Sequence, residues 1–209
     1  MSLRLLIALL VALTMSVSSG CGESSHKKTI HFAKLGLDIP SSYFEGSSGS
    51  SPPSGDEDST VINAVFPNMR PSKSSEWNDP NDVRVTVRRI GKMTSTEFLL
   101  SDYERLKYSA APARPMLVAS SATEHKFIVH YSPGSSDVAT YVIRTLPDGS
   151  QLSLEDPGSW SYSFECNRRV GEVEVTYQFR KNGGPDAATL DVAVVALLER
   201  LASFRVIRQ

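Results

Sequence analysis

"GEVEVTYQFR", residues 171–180, decides the fold. Val173, Val175, Tyr177 and Phe179 alternate with Glu172, Glu174, Thr176 and Gln178. Successive side chains of a strand point to opposite faces, so this period of two gives one apolar face and one polar face. "DVRVTVRRI" (82–90) repeats the pattern, with Val83, Val85 and Val87 facing a core and Arg84, Thr86 and Arg88 facing away. Strands with one polar face belong to an antiparallel sheet with one side uncovered.

The same reading extends outward. A short pair of strands is expected at roughly 28–33 and 36–40, and further strands at 60–67, 123–131, 138–146 and 151–155. Asp148-Gly149 supplies the tight turn before the last of these. In "WSYSFEC" (160–166), Trp160, Tyr162, Phe164 and Cys166 share the apolar face of a strand. Two helices complete the list. "TSTEFLLSDYERLKYSAA" (94–111) opens with Thr94 and Glu97 at capping-box spacing, carries a stripe of Leu99, Tyr103, Leu106 and Ala110, and ends before Pro112 and Pro115. "PDAATLDVAVVALLERLASF" (185–204) has a broad stripe of Leu190, Val194, Leu197, Leu198 and Leu201, so most of its surface should be buried. "FRVI" closes the chain as an edge strand. The fold class implied is α+β: a mostly antiparallel β-sheet with two α-helices packed on one face.

Residues 1–20 read as a secretory leader. Arg4 is their only charged side chain, Leu5–Met15 is apolar, and Ser18, Ser19 and Gly20 precede Cys21. The run is too short to span a bilayer comfortably, which takes about 20 residues. Small residues ending in a cysteine resemble the lipobox of bacterial lipoproteins, although Ser18 stands where that family usually has Leu. The resemblance implies that Cys21 is diacylated on sulfur, becomes the new N-terminus and is acylated again. Gly22, in place of Asp, resembles an outer-membrane address. Residues 21–28 then form a lipidated tether, and 29–209 a single α+β domain. Cys166, on an apolar strand face, reads as a free buried thiol behaving as a small hydrophobe.

Composition narrows the partners. The chain has 22 basic and 23 acidic side chains, and the leader holds one of the basic ones, so the mature balance is about −2. No basic run is visible, and nucleic acid is not an expected partner. "EGSSGSSPPSGDEDS" (45–59) is rich in Ser, Gly and Pro and reads as a flexible solvated loop with an acidic cluster at Asp56, Glu57 and Asp58. That cluster could instead order against a basic partner surface. The polar loop 67–81 carries Arg70 and Trp77.

No catalytic constellation emerges. His125 and His130 are five apart in one strand, hence on opposite faces, and cannot share a metal. His31 sits on the first strand and His26 in the tether. There is no HExxH, CxxC, EF-hand or G-x-S-x-G pattern. Carboxylates close in sequence, such as Glu172 with Glu174 or Glu155 with Asp156, are available for acid–base work but stand where solvation alone would put them. No cofactor, metal or enzymatic activity is expected.

"LDIPSSYF", "VINAVFPNMRP", "DVRVTV", "VTYQF" and "LLERLASF" together resemble small bacterial envelope lipoproteins that act as immunity partners of antibacterial effectors. That group commonly has a cysteine pair in the C-terminal strand region, where this chain has Cys166 alone. The resemblance implies a lipid-anchored, periplasm-facing protein that binds and inhibits a secretion-system toxin, with an accessory role in envelope assembly or integrity as the alternative. Partner contacts are then expected in the loops, with Arg70 and Trp77 as anchors because Arg and aromatics dominate binding hot spots.

Overall fold

The computed structural model describes residues 27–32, 35–44, 58–76, 79–110, 114–131 and 136–204. The expectations for the leader, Cys21, Asp56, Glu57 and Trp77 lie outside the described residues.

The strands are β1 (Lys27–Phe32), β2 (Leu35–Pro40), β3 (Ser59–Val65), β4 (Arg70–Pro71), β5 (Asp82–Arg89), β6 (Met116–Ser120), β7 (Glu124–His130), β8 (Val138–Thr145), β9 (Gln151–Asp156), β10 (Ser163–Val170), β11 (Val173–Arg180) and β12 (Ala202–Phe204). Helix α1 spans Ser95–Leu106 and α2 spans Ala187–Leu201. Nine strands form one sheet in the order β4-β3-β5-β11-β10-β9-β8-β7-β6, and β1-β2-β12 form a second. All these pairings are antiparallel.

The alternation read from β5 and β11 holds on the core side. Val83, Val85, Val87, Val173, Val175, Tyr177 and Phe179 are all buried. They share a core with Ile62 and Ala64 of β3, Ile30, Phe32, Leu37 and Ile39 of the small sheet, and the whole expected α2 stripe. Each Val, Leu or Ile among them contributes roughly 1.5–3 kcal/mol by leaving water. Polar groups also enter this core, among them Thr60, the Tyr43 hydroxyl and Asp191. Asp191 of α2 accepts from the Tyr177 hydroxyl at 3.0 Å and pairs with Arg168, which also reaches Asp148 at 2.9 Å.

The α+β class is as the sequence implies, but the two helices lie on opposite faces of the large sheet. Tyr177, which bonds α2, is next to Thr176 on β11, and Thr176 is the register partner of Asn167. Asn167 in turn lies opposite Ser153, which accepts from Thr96 of α1 at 2.9 Å. Neighbours along a strand face opposite ways, so α2 covers the Tyr177 face and α1 the Thr176 face. The surface expected to stand open in water is therefore roofed in part by α1.

A second difference concerns residues 160–166. Cys166 is buried, as expected, and burial pushes its thiol pKa up to about 12. Trp160 and Tyr162, however, precede β10 and are 62% and 78% exposed. Alternation continued past the strand's end, where no pleat fixes the faces. Edge strand β6 was not anticipated; four of its five residues are exposed, and it has no clean period of two.

Candidate functional site

Helix α1 is fixed mainly at its start. The Thr94 hydroxyl accepts from the Glu97 amide at 3.1 Å and the Glu97 carboxylate accepts from the Thr94 amide at 2.8 Å, which is the capping box the sequence implies. Glu97 also bridges to Arg169 at 2.7 Å. Glu174, on the supposedly solvated face of β11, is only 1% exposed. Its carboxylate accepts from the Ser95 amide at 2.7 Å and pairs with Arg88. A buried carboxylate is tolerated where a cation and a helix N-terminus both answer its charge. Arg88, on the polar face of β5, is thereby committed to a carboxylate of its own chain.

Beyond this end the helix packs lightly. Thr96 is its only buried residue, and Tyr103 meets Phe127 of β7 edge to face at 5.2 Å. Between helix and sheet lies an open groove of about 530 Å3. Its rim carries Met93 and Phe98, which are 41% and 58% exposed. Leu99, Pro115 and Val129 line it further in, and Tyr141, Glu155, Glu165 and Asn167 come from the sheet.

Strand register assembles the floor. Tyr141 on β8 lies opposite Glu155 on β9, Glu155 opposite Glu165 on β10, and Glu165 opposite Gln178 on β11. Partners across antiparallel strands share a face, with Cβ atoms about 5 Å apart. Two carboxylates therefore stand side by side. Gln178 donates to Glu165 at 2.9 Å, Asn167 donates to it at 3.4 Å, and Thr176 orients Asn167 through a 2.6 Å bond. Glu155 accepts from the Tyr141 phenol.

Burial raises the Glu155 pKa above the ordinary carboxylate range, Tyr141 opposes that shift, and the charge of Glu165 adds to it. Burial also raises Tyr141, with Glu155 reinforcing the effect. Tyr131, raised for the same two reasons, stacks edge-on against Trp160 at 5.5 Å and extends the aromatic margin past the floor. Such a floor can attract a cation or exchange a proton.

The residues expected from the sequence to contact a partner lie elsewhere. Arg70 is exposed and holds Glu76 in a two-pronged ion pair at 2.5 and 2.9 Å, which lowers the Glu76 pKa to about 2. It fastens its own loop. Asp58 is exposed ahead of β3, and its carbonyl accepts from the Arg89 amide at 2.8 Å. Among the described residues, no cluster of three or more His, Cys, Asp and Glu could hold a metal, and no helix is long and apolar enough to cross a membrane. The sequence offers Glu155 only beside Asp156, because Glu155 and Glu165 are ten apart in the chain and meet only through register. Phe98, an aromatic one place off the Leu99 stripe, was the one local sign.

Fold and site define an α+β domain with an acidic-floored, apolar-rimmed groove between a helix and an antiparallel sheet. No known family's profile matches the chain. None of the curated proteins matches it significantly. Among solved structures, it is similar to the crystal structure of the Neisseria meningitidis iron-regulated outer membrane lipoprotein FrpD, at 12% identity and a TM-score of 0.46 over 84% of this chain and 91% of that one. A likeness this slight carries neither fold nor function from one chain to the other.

Proposed function

We propose that this chain is a lipid-anchored, periplasm-facing binding protein at the outer membrane, held by acylated Cys21, with the groove beneath α1 as its working surface. The observation that carries the reading is the groove, whose apolar rim at Met93 and Phe98 is left in water beside two carboxylates. A helix serving only the core would turn Phe98 inward, and an apolar rim around a polar floor is the usual make-up of a binding site. The leader and lipobox-like residues around Cys21 support the anchor, since several acyl chains on one residue give stable attachment.

In its specific form the proposal is an immunity protein that binds and inhibits an antibacterial effector toxin, a reading supported by the sequence resemblance. Co-culture tests it. A deletion mutant is mixed with its parent on a solid surface, with the parent's secretion machinery intact or disabled. The proposal expects the mutant to die only beside the secreting parent and to be rescued by the anchored chain. Equal survival beside both parents, with a leaky envelope in monoculture, would replace it with a role in envelope assembly.

A further inference from the structure

The groove floor carries charge that the rest of the site does not answer. Among the described residues, Arg88, Arg105 and Lys181 are committed to Glu174, Asp102 and Asp156, and Arg84, next in the row beyond Gln178, is exposed and forms no ion pair with Glu165 or Glu155. Glu165 is held by the amides of Gln178 and Asn167, and Glu155 by the phenol of Tyr141, all uncharged donors. The strand register forces the two carboxylates together, a juxtaposition that does nothing for the fold. The rim beside them is apolar and exposed.

We propose that the groove receives an arginine side chain of a protein partner, its guanidinium spanning Glu155 and Glu165 while an adjacent apolar residue of the same segment covers Phe98 and Met93. Charge complementarity selects the cation. The spacing favours arginine, whose planar fork presents several N–H donors at once, over the point charge of lysine. An apolar neighbour is required because the guanidinium alone leaves Phe98 in water. This inference rests on the groove being the binding surface.

The test is a selection of random peptides of about twelve residues on the purified chain, with measured affinities for Glu155→Gln/Glu165→Gln and for Phe98→Ala. Selected peptides should be enriched in arginine beside Leu, Phe or Met. Their binding should weaken about tenfold or more on either variant, and also when the arginine is exchanged for lysine. Binders that are acidic or uncharged, or that are indifferent to the double glutamine change, would overturn it, as would recovery of none that depends on the groove. Co-culture separates the two readings: if Phe98→Ala loses protection while Glu155→Gln/Glu165→Gln keeps it, the arginine inference falls and the groove stands.

Discussion

Replacing Glu155 by glutamine removes one of two facing charges and, by the geometry of the groove, should make the protein more stable at neutral pH. Glu155 is half-buried on β9, directly across from Glu165. Glutamine is nearly isosteric and still offers an oxygen to the Tyr141 phenol. Like charges directly opposite across antiparallel strands cost up to about 1 kcal/mol, and the incomplete hydration of Glu155 acts in the same direction. The expected gain is about 1 kcal/mol at pH near 7, or roughly 2–4 °C in Tm for a domain of this size. The sign follows from linkage. The folded-state pKa is raised above the ordinary 4.5, so the native state holds this proton more tightly than the unfolded chain. Stability is then fullest below the unfolded pKa and is lost as pH rises through the folded one. Thermal unfolding followed by circular dichroism across that range is the assay. The variant should match the wild type in acid and exceed it at neutral pH. A variant less stable than wild type at neutral pH, or a gain equal at every pH, would show that Glu155 and Glu165 do not repel each other in the folded state.

Three further expectations follow from the core and the cap. Asp191→Ala should cost about 2–3 kcal/mol in urea unfolding, because it takes the carboxylate from the buried Tyr177 hydroxyl and leaves the largely buried Arg168 guanidinium with Asp148 alone; Tyr177→Phe should cost only about 1 kcal/mol. Cys166, buried and with its thiol pKa pushed up to about 12, should resist alkylation in the native protein and react at a rate set by unfolding. Thr94→Ala removes the capping hydroxyl of α1 and should cost about 1 kcal/mol, with faster amide exchange in the first turn of that helix and little change in α2.

Local periodicity carried the elements well where a strand or helix had one buried face. Val83, Val85 and Val87 of β5 and the Leu190–Leu201 stripe of α2 are buried as their spacing implies, and Thr94 caps α1. What periodicity cannot say is which face of a sheet a helix will choose. Glu174 looked solvated because its neighbours alternate, yet it is buried under α1, where Arg88 and the Ser95 amide compensate its charge. The groove was illegible for a related reason. It is built by register, which brings Tyr141, Glu155, Glu165 and Gln178 into one row from four strands. Trp160 and Tyr162 show the opposite error, a pattern of two that runs on past the strand that would give it meaning.

Protection in co-culture by a groove variant tests most directly whether the protein works through this groove. A deletion mutant is given either the wild-type chain or one carrying Glu155→Gln, Glu165→Gln and Phe98→Ala, with equal abundance at the membrane verified first. The wild-type chain should protect against the secreting parent and the triple variant should not, although it folds and is anchored normally. Full protection by the variant would contradict the claim that this groove is where the protein works.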